Sequence, residues 1–376
     1  MEKAAKVAGS LNLDRARLVY KEKPVFFNGL IIIDNDRITS ASLTIKQEKM
    51  TVDMNGSLTL GETPFLSGDV SVDSLKIGGS GEGKLDLPKK FRAKGRLSLT
   101  RVDLYGIPVD KGEASAELEQ GVLRLVNMDF SGPSGTLKGS CMLNPGGGSS
   151  YDLNLGIKDA PVADFIRAFA TASPWMEGQM DLQGHLWGNA DAVNGDVSFA
   201  ARKGRIQRYN LVSRIFSVLN PYKIIKTGEF DLLHGGFPFN FLSSTFTIRD
   251  SVVSFEDFYL DSNSLQVSAI GKYTIPTKYI DAIMGIEPLE TFDKTISRIP
   301  IVGWVLTGDK GTLIVVSVRV KGPIDDTSAQ HLPSNTISKP VAESLLRVLN
   351  LPVDILTKPV DVILPGGKKE NGGKAP

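Results

Sequence analysis

The chain has one cysteine, Cys141, so no disulfide can form within it, although this leaves the compartment open. It also lacks an excess of charge of either sign. Lys and Arg number 43 against 42 Asp and Glu, a formal net charge of +1, which argues against nucleic acid as a partner. Aromatic residues are scarce at 7%, while glycine reaches 38 residues, a pairing that fits many short strands joined by tight turns. The N-terminal stretch MEKAAKVAGSLNLDRARLVYKEK carries charges throughout and has no apolar signal core. With 376 residues the chain is long enough for two or more domains and ample core.

A long hydrophobic run is missing too. The greasiest stretch, RIPIVGWVLTGDKGTLIVVSVRVKG (298–322), is cut by Thr307-Gly308-Asp309-Lys310-Gly311. A transmembrane helix needs roughly 20 apolar residues in a row, and a mid-membrane Asp or Lys costs about 2.5–3.5 kcal/mol each. The two glycines around the charged pair read as a turn, and the β-branched Leu313–Val320 reads as a strand. Ile299–Leu306 reads as a loop or short turn.

What the sequence does have is alternation of period two. Ala114, Ala116 and Leu118 alternate with Glu113, Ser115 and Glu117. Tyr151, Leu153, Leu155 and Ile157 alternate with polar neighbours, as do Met180, Leu182 and Leu186, then Phe246 and Ile248, then Leu265 and Val267. One apolar and one polar face is the mark of a sheet wet on one side. Helical spacing is confined to Pro161–Ala172, Asn210–Leu219, a short stretch near Leu289–Ile299, and Lys339–Leu349. So few helices cannot cover so many half-apolar strands. The sheet must pair with another sheet, close on itself, or leave a groove for an apolar ligand. Weakly repeated strand–turn–strand units favour a sheet extended by stacking. The segments expected are an N-terminal β region (1–90), a β-repeat region (91–150), a third β region with short helices (151–325), and a tail (326–376) with an amphipathic helix and a disordered end.

Catalytic patterns are few. Gly78–Leu85 follows the phosphate-loop pattern until Leu85 replaces the Ser/Thr that would hold magnesium, and Pro88 follows closely, so it reads as a linker. His185, His234 and His331 have no metal-binding spacing, and Gly132-Pro133-Ser134-Gly135 is too short for a nucleophile elbow. The pairs Asp34/Asp36, Glu256/Asp257 and Asp325/Asp326 read as solvated turn residues. Nothing groups Trp175, Trp187 and Trp304. These residues point away from an enzyme, and no cofactor or metal is expected.

From about Tyr151 onward the order of features resembles the C-terminal region of the AsmA-like family, which is related to bridge-like lipid-transfer proteins. The likeness lies in MEGQMDLQGHLWGNADAVNGDVSFAARKGRIQRYNLVSRIFSVLN, then FPFNFLSSTFTIRDSVVSFEDFYLDSNSLQVSAIGKYTI, then RIPIVGWVLTGDKGTLIVVSVRVKGPIDD. The resemblance covers Tyr151–Leu351 best. It implies an elongated, curled, mainly antiparallel all-β sheet with a few short helices and an apolar groove. It also implies phospholipids as ligands, bacterial membranes and other envelope proteins as partners, and a role in moving phospholipid between inner and outer membranes or maintaining the outer membrane. Such proteins face the periplasm from an inner-membrane anchor. No anchor or signal peptide is visible in this chain, which favours a fragment.

On this reading Leu182, Phe246, Ile248, Leu265, Val267, Ile314, Val316, Val318 and Val320 line the groove. Trp304, Leu345 and Leu349 are the membrane-interface candidates, with sheet capping as the other role of the terminal helix. The competing reading is a scaffolding β-protein that assists outer-membrane protein assembly and whose apolar faces bury one another. A groove predicts that Val316→Asp or Val267→Asp abolishes lipid binding and leaves the fold intact.

Overall fold

The computed structural model describes residues 7–20, 22–77, 88–146, 149–169, 173–207, 214–215, 236–289, 304–308 and 311–350. The first strands are β1 (Ala8–Tyr20), β2 (Lys23–Asp34), β3 (Arg37–Gln47), β4 (Met50–Thr59), β5 (Phe65–Asp73) and the short β6 (Lys76–Ile77). Next come β7 (Arg92–Leu104), β8 (Ile107–Glu119), β9 (Val122–Gly132), β10 (Gly135–Asn144) and β11 (Ser150–Pro161). Helix α1 (Val162–Phe169) precedes β12 (Met176–Gly188), β13 (Val193–Ile206), β14 (Phe237–Arg249), β15 (Val252–Asp261), β16 (Leu265–Thr274) and β17 (Tyr279–Pro288). The last elements are β18 (Trp304–Gly308), β19 (Gly311–Pro323), β20 (Ser328–His331) and helix α2 (Lys339–Leu349).

Neighbours in sequence are neighbours in space, and almost every pair is antiparallel. The exceptions are β5 with β7 and β6 with β7, which run parallel. The result is one long mixed sheet of 19 strands, an elongated and curled all-β fold, with β18 folded back on β19 as a hairpin. Trp304–Leu306, expected as loop or turn, is therefore strand, because β19 has backbone groups free to pair with it. The sheet runs unbroken through the positions expected to separate segments, since β5 pairs with β7 and β10 with β11. The helix expected at Pro161–Ala172 is seen as Val162–Phe169, and that at Lys339–Leu349 has the expected bounds. Most of Asn210–Leu219, most of Leu289–Ile299, the glycine-rich 78–87 and the end of the tail lie outside the described residues.

Two backbone features bend the sheet. Bulges recur with a residue in the left-handed region: Arg15 at φ 50°, Asn127 at 54°, Asp159 at 52° and Lys203 at 49°. A bulge adds twist and leaves one N–H off the ladder. Side chains on the adjacent strand take two of these: Arg15 N–H donates to Asn28 Oδ1 and Asp159 N–H to Asp181 Oδ1, each at 2.9 Å. The second feature is glycine on the inner face. A Cβ at Gly68 would stand 2.2 Å from the Asn55 carbonyl oxygen and 2.5 Å from Gly56 Cα, both backbone atoms that cannot swing aside. Gly68→Val is therefore expected to destabilise the protein by about 1–3 kcal/mol in urea unfolding and to speed hydrogen exchange in β4 and β5. Gly9→Ala, where a Cβ meets nothing within 4 Å, serves as the control.

Candidate functional site

Strand registers show that one face of the sheet is apolar almost from end to end. One row of directly paired residues runs Phe27–Ile45–Val52–Val72–Leu99 and continues through Gly112 to Phe130, Leu137, Ile157, Leu182 and Phe199. Toward the other end of the strands a second row runs Ile33–Ile38–Leu58–Leu66–Ala93, then Leu118–Leu123–Leu143–Tyr151. Between the rows lie Leu125, Cys141, Leu153 and Leu186, again paired in order. At about 4.8 Å per strand, such rows extend on the order of 50 Å.

The opposite face is charged. Arg101 pairs with Asp73, Lys138 Nζ lies 2.8 Å from Asp129, Arg249 Nη2 lies 3.1 Å from Asp196, and Arg319 Nη2 lies 2.9 Å from Asp281. Exposed pairs of this kind stabilise little, about 0–1 kcal/mol each. Their effect is to keep that face in water, which assigns the apolar face to the inside of the curl. Hydrogen bonds from Arg319 hold the Asp281 carboxyl below its ordinary value of 3.8, against the opposing effect of burial and with help from the Arg319 and Lys321 charges. A depressed carboxylate pKa stabilises the fold above the ordinary value, and that stability is lost as pH falls through the folded value. The urea midpoint is thus expected to drop below about pH 4, and less steeply in Asp281→Asn.

Burial along the inner face is uneven. From β11 to β20 it is a closed core in which Ala160, Met180, Ala201, Leu260, Ile286 and Val318 are buried. The α1 residues Val162, Phe165 and Ile166 and the nearby Trp175 pack into it. Between β7 and β9, Val102, Val109, Met128 and Phe130 form a second core, with the Phe130 ring set over Gly112. From β1 to β5, by contrast, Val25 is the one apolar residue that is buried among the described residues. The second row is half-buried along its whole course, from Ile33 through Leu66 and Leu123 to Tyr151. The candidate site is this half-open lane, the second row together with the half-buried Leu125, Cys141, Leu153 and Leu186 beside it.

Ile314 aside, the sequence-predicted groove residues have the expected face, but the structure gives most of them another environment. Ile248, Leu265, Val267, Val318 and Val320 are buried in packed core, and Leu182 and Val316 pack against it. Phe246 is half-buried, in edge-to-face contact with Phe255 at 6.3 Å. Ile314 and Trp304 lie in strands, and their side chains are outside the described residues. Leu345 and Leu349, expected at a membrane interface, are instead buried against the outer face of the sheet. Helix α2 seats there because this patch of the outer face is small or apolar where the rest is charged. The patch comprises Phe241, Tyr259, Ser268, Gly285, Val315 and Ser317. A Cβ at Gly285 would already be 3.6 Å from Leu345 Cβ. The same patch explains why β19 is apolar on both faces at Val315 and Val316.

Residues of the half-open lane had a legible signal in the alternation of Leu118, Leu153 and Leu186. Leu58, Leu66 and Leu143 join it through strand register, which alternation along one strand does not give. Cys141 lies within the lane, and burial, then the Asp152 charge, pushes its thiol above the usual value. On the outer face His185 Nε2 lies 3.0 Å from Asp152 Oδ1, and Arg249 stacks over Trp187. Among the described residues no group of His, Cys, Asp and Glu has a metal-holding arrangement, and no helix is long and apolar enough to cross a membrane. Compared with family models, curated proteins and solved structures, the chain matches none. Function must be read from the lane itself.

Proposed function

We propose that this chain binds the acyl chains of phospholipids along its inner face and shields them from water. The observation that carries this reading is the continuous half-open apolar lane backed by a charged outer face. Exposing an acyl chain costs about 0.8 kcal/mol per CH₂, so two chains of roughly 16 carbons cost on the order of 25 kcal/mol. At that barrier escape into water takes days. A lane of apolar side chains removes most of the cost while headgroups stay wet, and it needs no nucleophile and no metal. The resemblance to the AsmA-like family agrees in kind. It extends the proposal to a periplasm-facing protein that passes phospholipid between inner and outer membranes.

The test is mass spectrometry of lipids co-purifying with the folded chain, with protein-to-phosphorus stoichiometry and a mock purification. Phospholipid at one or more per chain supports the reading, and background levels from folded protein reject it. One observation favours the scaffolding alternative: the closed core from β11 to β20, where the inner face is sealed by the protein itself. On that alternative the lane from β1 to β10 is covered by protein rather than lipid.

A further inference from the structure

The second row has a rim, made of the turns that lie just beyond it at one end of the strands. Among the described residues from β1 to β13, most turns on this rim carry Asp36, Glu62 and Asp191 or no charge at all. The exception is Pro88–Phe91, which leads into β7 and carries Lys89 and Lys90. The Phe91 N–H donates to the Pro88 carbonyl at 3.4 Å. The Arg92 N–H donates to the Pro64 carbonyl at 2.9 Å, which ties this turn to the start of β5.

The Lys89 side chain reaches across this rim. Its Nζ lies 3.9 Å, and its Cε 3.7 Å, from the point that a Cβ on Gly146 would occupy in the turn between β10 and β11. That turn is three strands from β7, about 14 Å at ordinary strand spacing. The ammonium group therefore stands past the ends of β8 and β9, at the mouth of the lane. There Leu118, Leu123, Leu143 and Tyr151 follow one another in register, all half-buried. The polar groups nearby are taken: Asn144 Oδ1 accepts from the Gly146 N–H at 3.3 Å, and Glu119 pairs with Arg92 at 3.3 Å. Lys89 and Lys90 are exposed, and among the described residues neither is in an ion pair. Two unpaired cations at the edge of an apolar lane match one ligand chemistry, an anionic phosphate carried on an apolar chain. We propose that Lys89 and Lys90 hold the headgroup phosphate of a lipid whose acyl chains lie in the lane. This assignment rests on the acyl-chain reading of the lane. It adds that the phosphate has one favoured place along the rim, because the acidic turns elsewhere repel it.

The test compares phosphatidic acid with diacylglycerol carrying the same two oleoyl chains, so that the probes differ only in the phosphate. Binding of each to the delipidated full chain is measured by equilibrium titration at low and high salt. The chain is expected to prefer phosphatidic acid by about fivefold for each lysine engaged. That preference should shrink as salt rises. Lys89→Gln with Lys90→Gln should remove it and leave the affinity for diacylglycerol unchanged. Lys94→Gln, exposed on the outer face opposite Glu117, should change neither. Equal affinity for the two lipids, or a preference that survives in the double variant, overturns the phosphate site and leaves the lane standing. Failure to bind either lipid rejects the lane reading and the phosphate site with it. Inorganic phosphate bound as tightly as phosphatidic acid would make this a free-phosphate site and overturn the lipid assignment.

Discussion

Val318→Asp is expected to unfold the part of the sheet from β12 to β20. Val318 is 0% exposed, lies between Met284 of β17 and His331 of β20 in register, and belongs to the core that includes Ile286 and Leu260. Apart from His331 across from it, a carboxylate there meets the apolar side chains of that cluster. Burying an unpaired charge costs several kcal/mol even after relaxation, against a net stability of about 5–15 kcal/mol for a whole domain. Hydrogen exchange should show loss of protection through β12–β20, and the thermal transition should broaden or vanish. Val267→Asp should behave the same way, since Val267 pairs with Leu260 and Ile286 in the same core. This reverses the sequence-based expectation that a charge at Val267 leaves the fold intact. Face was inferred correctly from alternation, but alternation does not say what lies above the face.

The second large effect is expected at Leu66→Asp. Leu66 is half-buried between Leu58 and Ala93 in the lane, with solvent close enough for a carboxylate to stay hydrated. The fold should therefore survive, with a stability loss within about 1–3 kcal/mol. Acyl chains, however, would have to leave a charge unsolvated or detach around it, so co-purifying phospholipid should fall severalfold. Ser67→Asp, one residue along on the exposed outer face, should leave both stability and lipid content unchanged. Equal lipid loss in the two variants would mean that the lane is not the binding surface.

Much of the fold was legible because strand alternation is a local property. The runs Glu113–Leu118, Tyr151–Ile157 and Met180–Leu186 each announced a strand, its inner face and its outer face. Helices α1 and α2 were legible from apolar spacing and a proline near the start. The bulges were not, because Arg15, Asp159 and Lys203 enter the left-handed region only in the context of a paired strand. Nor could the sequence say where the helices pack. Helix α1 seals the inner face near β11 and β12, and α2 covers the outer face near β16. These two placements moved Val267, Val318 and Val320 from groove to core, and Leu345 and Leu349 from membrane to sheet. The half-open lane is what remains, and it depends on register across strands far apart in the chain.

Photo-crosslinking to phospholipid bearing a labelled acyl chain tests the lane most directly. A photoreactive residue would replace Leu58, Leu123 or Leu153 on the inner face, or the adjacent Ser57, Arg124 or Asp152 on the outer face. Adjacent positions share the same strand and the same distance from any membrane, and differ only in face. Lipid adducts at the three leucine positions and not at their neighbours are the expected result. Adducts at both sets, or at neither, would contradict an acyl-chain lane on the inner face.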